Sequence, residues 1–304
     1  MNYAIEINGL TKKFDSLTAI NTLDLKIKQG EMFGLVGPDG AGKTTLIRIL
    51  CGIIEPDEGD ISILGYKLDS ETNQIKRRIG YLSQKFSLYG DLSIDENIEF
   101  FADIHQVADY RQRREELLEF TRLTPFRDRL ADRLSGGMKQ KLALACTLIH
   151  TPAIIFLDEP TTGVDPVSRR DFWKILSELL NQGITIIMTT PYLDEAERCS
   201  KVGMINRGEL MAYDTPDNVK AKMDSRVLEI VCYPARKALH ILKDMPEVQE
   251  AQAFGDRVNV FAEDTEEIAS RIKSELESNG VTVSSQRVIT PSLENVFISL
   301  MQSE

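Results

Sequence analysis

Gly37-Pro38-Asp39-Gly40-Ala41-Gly42-Lys43-Thr44 is the stretch that decides the fold. It fits the pattern G-x-x-x-x-G-K-[ST], and its flanks have the required character. Met32–Val36 is a short apolar run that reads as a strand, and Lys43–Cys51 reads as a helix. Glycines at this spacing let consecutive backbone N–H groups curl around phosphate oxygens, and the helix N-terminus adds its positive end. The pattern predicts that Lys43 reaches the β- and γ-phosphates of a nucleotide and that the Thr44 hydroxyl ligates Mg²⁺. Thr45 follows in the first helical turn, so the nucleotide-contacting candidates run without a break from Gly37 to Thr45.

Outward from this loop, the chain alternates strands and helices. Ala153–Leu157 and Ile184–Met188 are further buried-strand candidates, each preceded by helical periodicity. Such alternation predicts an α/β fold with a parallel sheet and helices on its faces. Between about residues 88 and 149 the pattern becomes almost purely helical, with the charge-dense stretch Asp109–Glu119 on a solvated face, and it reads as a helical subdomain inserted into the core. Composition shifts after Met211–Pro216, and the junction is placed at Met223, giving domains 1–223 and 224–304. Downstream come a strand at Val227–Cys232, a helix at Pro234–Lys243 and a hairpin turning near Gly255-Asp256. A helix opening at Asp264 and stopping at Gly280, then a strand at Val281–Ile289, complete the order βαββαβ of a small ferredoxin-like domain. Thr290-Pro291 caps a last amphipathic helix carrying Leu293, Val296, Phe297 and Leu300.

A second chemical element is Ile154-Ile155-Phe156-Leu157-Asp158-Glu159. Four apolar residues bury a strand, Asp158 at its carboxyl end can hold Mg²⁺ through water, and Glu159 is placed to polarise water against a γ-phosphate. Downstream of a phosphate loop, an otherwise common strand ending becomes a metal and base assignment. A third is Leu134-Ser135-Gly136-Gly137-Met138, which precedes the helical stretch Lys139–Leu148, so that Ser135 and the amides of Gly136 and Gly137 make a second anion site without a lysine. Together these three resemble the Walker A, Walker B and signature motifs of ATP-binding cassette (ABC) proteins. The resemblance implies an ABC-type P-loop ATPase: a RecA-like mixed sheet core with antiparallel edge strands and a helical subdomain, followed here by the ferredoxin-like domain. Its cofactors would be ATP and Mg²⁺.

The resemblance extends along the chain. Phe14 matches the aromatic residue that stacks on adenine, though as a residue it also reads as one more core aromatic. Gln84, in Gly80-Tyr81-Leu82-Ser83-Gln84, matches the glutamine that touches Mg²⁺ and water and reports nucleotide state to a membrane partner. Gly163-Val164-Asp165 resembles the loop that contacts the opposite cassette, which places Asp165 among the nucleotide-site residues. Lys43, Gln84 and Glu159 are then the implied catalytic set, with Thr44, Gln84 and Asp158 at the metal. The ending Thr290–Phe297 resembles the C-terminal extension of ATPase subunits of ABC-2-type exporters.

One position departs from the family. A histidine usually follows the strand after Walker B, but Thr189-Thr190-Pro191-Tyr192-Leu193-Asp194-Glu195 puts Pro191 in that slot. Proline has no ring nitrogen and no N–H, so it cannot donate to the γ-phosphate or position water. Losing such a group typically costs about 10²–10⁴ in rate. The site on this chain is therefore expected to bind Mg-ATP but hydrolyse it slowly, unless Thr190 or Tyr192 takes over the role. The intact Ser135-Gly136-Gly137 can complete a competent site on a partner cassette, which favours an asymmetric pair with a different ATPase subunit over a slow homodimer. His105, His150 and His240 read as ordinary surface or loop residues.

Composition agrees with a motor subunit. The 304 residues carry 36 basic and 47 acidic side chains, a net charge of −11, which argues against a general nucleic-acid binder. No apolar run approaches the roughly 18 residues of a membrane helix, and no secretory signal is visible. Cys51, Cys146, Cys199 and Cys232 lack any CxxC pairing and read as buried thiols of a reducing compartment. The length is too short for tandem cassettes. The resemblance thus implies separate permease subunits and a second cassette, with the chain cytoplasmic and peripheral on the inner face of the membrane, and a coupling surface near Phe86–Phe101. The competing readings are a soluble cassette protein acting on DNA or ribosomes, and a nucleotide-dependent regulator.

Overall fold

The glycine-rich stretch leaves the carboxyl end of a central strand in the computed structural model, which describes residues 2–85, 88–223, 226–262 and 265–302. The chain divides into two units, Met1–Thr215 and Pro216–Glu304. The first opens with a hairpin of β1 (Tyr3–Phe14) and β2 (Leu17–Lys28), then β3 (Met32–Val36) and α1 (Lys43–Leu50). β4 (Glu58–Ile63), β5 (Tyr66–Lys67), α2 (Thr72–Lys76) and β6 (Ile79–Leu82) follow. Next come α3 (Ile94–Ile104), α4 (Tyr110–Thr121) and α5 (Gly136–Leu148), the expected helical block. β7 (Ile154–Asp158), α6 (Pro166–Asn181), β8 (Thr185–Thr190), α7 (Leu193–Ala196), β9 (Lys201–Asn206) and β10 (Glu209–Asp214) complete the unit.

Its central sheet runs β10-β9-β3-β8-β7-β6, parallel throughout except for the antiparallel edge strand β10. A second sheet, β2-β1-β4-β5, is antiparallel. The apolar runs read from the sequence are buried along β3, β7 and β8, as strands covered on two sides require, while Ala153 and Ile184 lie just before β7 and β8 and are less buried. In β7, Ile155 and Leu157 enter a core shared with α3, α4, α5 and α6. The alternating Ile154 and Phe156 enter the opposite core, shared with α1 and the antiparallel sheet. The sheet is thereby clamped between two cores, and the carboxyl ends of β3, β7 and β8 are held as a rigid platform.

The helical block is ordered by its own caps. Ser93 starts α3 with a reciprocal capping box, accepting from the Glu96 N–H while the Glu96 carboxylate accepts from the Ser93 N–H. Asn97 is fully buried and donates to the carbonyls of Tyr89, Leu92 and Ser93, which ties the connection before the helix to its first turn. The expected coupling stretch near Phe86–Phe101 begins on Phe86 and Ser87, which lie outside the described residues; Tyr89 is exposed and packs edge-on against Phe100. His105 is an exposed turn residue, as expected, whereas His150 is half-buried and differs from its expectation as an ordinary surface or loop residue. Their rings stack face to face, 3.9 Å between centroids and 7° apart. His150 Nε2 donates to the Ile79 carbonyl at 2.9 Å, and burial together with the facing His105 holds its pKa down at about 4. His150 is therefore a neutral packing residue that ties α5 to the start of β6, a role its sequence context does not disclose.

The second unit begins with α8 (Pro216–Ala221), ahead of the junction expected at Met223. Its buried Val219 and its packing on the last helix assign it to the C-terminal unit. β11 (Val227–Tyr233), α9 (Ala235–Lys243), β12 (Glu250–Phe254), β13 (Arg257–Phe261), α10 (Thr265–Ser278), β14 (Thr282–Ile289) and α11 (Leu293–Gln302) follow in the order βαββαβ plus a final helix. The sheet order β12-β13-β11-β14, with every neighbouring pair antiparallel, is the ferredoxin-like arrangement. The helix start expected at Asp264 lies outside the described residues. The last helix is capped by Ser292 rather than by Thr290-Pro291: Ser292 Oγ accepts from the Asn295 N–H, and Asn295 Oδ1 accepts from the Ser292 N–H. Among the described residues no helix is long and apolar enough to cross a membrane, and all four cysteines are buried free thiols.

Candidate functional site

The loop Gly37–Gly42 joins β3 to α1, and two of its glycines are dictated by space. A Cβ at Gly37 would lie 2.2 Å from the Ile205 carbonyl oxygen. Gly42 has φ +105°, and a Cβ there would meet the Ala19 carbonyl at 2.4 Å. The loop therefore fits closely between β9 and the start of β2, and only residues without a side chain allow that approach.

Lys43, only 5 % exposed, turns its ammonium back into this loop. Its Nζ donates to the carbonyls of Gly37 at 2.8 Å and Pro38 at 3.0 Å. The same nitrogen lies 3.7 Å from Glu159 Oε1. The other Glu159 oxygen accepts from Gln84 Nε2 at 2.9 Å, so β3–α1, the residue two past β6 and the end of β7 meet at one carboxylate. Glu159 sits in the left-handed region at φ +49°, where a residue with a Cβ is held at a cost of roughly 1–2 kcal/mol. Its N–H is received by the Thr189 carbonyl at 3.2 Å and the Thr189 hydroxyl at 3.0 Å, which fixes that conformation.

Asp158 is fully buried. Its Oδ1 accepts from the Thr44 hydroxyl at 3.0 Å and from the Thr189 hydroxyl at 2.7 Å. Its Oδ2 is buried without a hydrogen-bond partner among the described residues. A buried, half-satisfied carboxylate beside a hydroxyl is expensive on its own and is the donor set a hard divalent cation takes, so the residues present fit Mg²⁺. Cys51 lies near this charge, and burial first, then Asp158, pushes its thiol well above the usual range, which keeps it a protonated packing residue.

Ser135, Gly136 and Gly137 form a second locus. The two glycines are the first turn of α5, earlier than the Lys139 start read from sequence, and Ser135 is its N-cap, accepting from the Met138 N–H. A Cβ on Gly137 would lie 2.3 Å from Ser168 Oγ, and one on Gly136 4.0 Å from the Gly163 carbonyl. The signature stretch and the loop carrying Asp165 are thus packed on each other. Asp165 has a structural task, capping α6 by accepting from the N–H groups of Val167 and Ser168. Hydrogen bonds from the Ser168 side chain and backbone hold its carboxyl below the usual range. Phe14 is 42 % exposed at the tip of the β1–β2 hairpin, with the Lys12 ammonium 5.3 Å from its ring centre, so it is not a core aromatic.

Pro191 is exposed, and the loop around it is pinned from within. The Thr190 hydroxyl donates to Glu195 and accepts from the Tyr192 N–H, so it is committed inside the protein. Tyr192 lies under the Arg169 guanidinium at 5.2 Å. Three residues that hold the site have no role in the sequence reading: Thr189 and Glu195, which lie in the stretch around Pro191, and Thr161, two residues past Glu159. Thr189 could have been found from the alignment of its strand with Walker B, where it pairs directly with Asp158.

Comparison with known proteins places this geometry. Residues 20–162 match the family model described as ABC transporter, and residues 215–301 match the ATP-binding protein DrrA1-3-like C-terminal domain. The chain is 40 % identical over 304 residues to the probable multidrug ABC transporter ATP-binding protein YbhF of Escherichia coli (strain K12), covering 98 % of this chain and 52 % of that protein. It therefore spans about half the length of that relative. It is 33 % identical over 305 residues to the daunorubicin resistance ATP-binding protein DrrA2 of Streptomyces coeruleorubidus, covering 98 % and 95 % of the two chains. Among solved structures, the ATP-binding subunit of an ABC transporter superposes with a TM-score of 0.66 at 28 % identity, covering 73 % of this chain and 93 % of that one. The dimeric cassette MJ0796, in a post-hydrolysis state bound to ADP and Pi, superposes with a TM-score of 0.64 at 27 % identity, covering 69 % and 98 %. The glycine-rich loop, the parallel sheet that carries it and the matches of both units lead to one conclusion: this chain belongs to the ABC transporter ATPases, as an ATP-binding cassette joined to a DrrA-like C-terminal domain.

Proposed function

We propose that this chain is the ATP-driven motor subunit of an ABC-2-type exporter, working through separate membrane subunits from the inner face of the cell membrane. The observation that carries the reading is the convergence of Lys43, Gln84 and Glu159 beside the Thr44–Asp158 pair. Lys43 binds the β- and γ-phosphates once its ammonium exchanges the loop carbonyls for phosphate oxygens. Thr44, Asp158 and Gln84 hold Mg²⁺, which when bound neutralises charge developing on the phosphates. Glu159, oriented by Gln84, polarises the attacking water. Phe14 stacks on the base.

A second cassette supplies its own Ser-Gly-Gly to this nucleotide, and Ser135-Gly136-Gly137 of this chain serve the partner's. The mutual packing of the signature turn and the Asp165 loop supports one continuous contact surface for that pairing. Pro191 makes the site on this chain slow, and we favour an asymmetric pair with a different ATPase subunit.

A pull-down of the tagged chain from detergent-solubilised membranes tests the function. Recovery of a polytopic membrane protein is the expected result. Recovery of ribosomes or DNA, or of neither, supports instead a soluble cassette protein or a nucleotide-dependent regulator.

A further inference from the structure

Glu195, at the first step of the chain after the pinned loop, is 1 % exposed, and both its oxygens are engaged. Oε1 accepts from the Thr161 hydroxyl at 2.6 Å and lies 3.5 Å from Arg169 Nη1; Oε2 accepts from the Thr190 hydroxyl at 2.8 Å. One carboxylate on α7 thus joins the turn after β7, the end of β8 and the second turn of α6. A buried carboxylate is costly to hold, and if packing alone were at stake an apolar residue would serve as well. The two hydroxyls it receives are at informative places. Thr161 is two residues after Glu159, in a turn closed by the Thr162 N–H to the Glu159 carbonyl at 3.3 Å and the Val164 N–H to the Thr161 carbonyl at 3.1 Å. Thr190 follows Thr189, whose hydroxyl and carbonyl hold the strained Glu159 N–H.

We infer that Glu195 is a positioning residue for hydrolysis: it fastens the Glu159–Thr162 turn to the end of β8, so that the Glu159 carboxylate stays between Lys43 and Gln84 in its left-handed conformation. The inference rests on the reading of Glu159 as the group that polarises water. Adjacent threonines divide the work, since successive side chains of a strand point to opposite faces. Thr189 fixes Asp158 and the Glu159 backbone on one side, and Thr190 fixes Glu195 on the other. The Arg169 guanidinium, shared between Glu195 and the Tyr192 ring, extends the same fastening to the loop that carries Pro191.

The test is steady-state ATP hydrolysis by the purified full chain carrying Thr161→Val, Thr161→Ser, Glu195→Gln or Glu159→Gln. Thr161→Val removes the hydroxyl at nearly constant volume, and we expect kcat to fall about 10- to 10²-fold, the scale of a small misplacement of a reacting group, while KM for ATP stays within about twofold. Thr161→Ser keeps the hydroxyl and retains kcat within about threefold of the native value. Glu195→Gln offers one acceptor oxygen to two hydroxyls and moves kcat in the same direction as Thr161→Val. Native kcat in Thr161→Val, alongside a collapse in Glu159→Gln, overturns this inference alone. Native kcat in Glu159→Gln overturns the water-polarising reading and the inference with it. A parallel loss of nucleotide affinity and thermal stability in Thr161→Val and Glu195→Gln shows a purely structural role and also overturns it.

Discussion

Glu159→Gln lowers the kcat of ATP hydrolysis by about 10²–10⁴ and leaves ATP binding in place, measured as phosphate release at saturating Mg-ATP alongside equilibrium nucleotide binding. The carboxylate is already held on both sides, by Gln84 Nε2 at 2.9 Å and by the Lys43 ammonium at 3.7 Å. Its backbone is fixed independently by Thr189. The amide has nearly the same shape and can still accept from Gln84, so the geometry survives while the basicity is lost. A group that acts only on the reacting water changes kcat and not ground-state binding.

Pro191→His accelerates hydrolysis by on the order of 10²-fold, the lower end of what a positioned proton-handling group contributes. The loop does not depend on residue 191 for its shape. Thr190 is tied to Glu195 and to the Tyr192 N–H, and Tyr192 is covered by Arg169. An imidazole would therefore be introduced on a backbone that is already fixed. The alternative, that Thr190 substitutes for the histidine, requires its hydroxyl to leave both its hydrogen bonds, the one to Glu195 buried. The assay is turnover of the purified chain and of the assembled transporter. An unchanged rate in both means that the proline is compensated, and the case for an asymmetric pair loses its basis.

Much of this architecture is legible in the sequence because it depends on local patterning. The strand before Gly37, the apolar runs ending at Asp158 and Met188, and the βαββαβ order downstream each announce themselves through period and turn residues. What stayed hidden depends on partners distant in the chain. That His150 stacks on His105 and bonds to Ile79 is set by packing between segments that no periodicity connects. Glu195 has no role in the sequence until Thr161 and Thr190 are seen to close on it. Asp165 matched a contact loop, yet its visible work is to cap α6, a role that the spacing Asp165-Pro166-Val167-Ser168 also allows. The C-terminal unit starts at Pro216, ahead of the Met223 junction that composition suggests, because α8 is short and polar and is committed by its buried Val219 and its packing on the last helix.

Titration of Mg-ATP into the purified native chain and into Lys43→Ala tests the central claim most directly. The native chain should bind one nucleotide saturably, and removing the ammonium that lies between the loop carbonyls and Glu159 should weaken binding about tenfold or more, the effect of losing a charge-assisted contact of about 1.5–3 kcal/mol. Equal affinity in the two proteins would contradict the assignment of Gly37–Thr44 as the phosphate site.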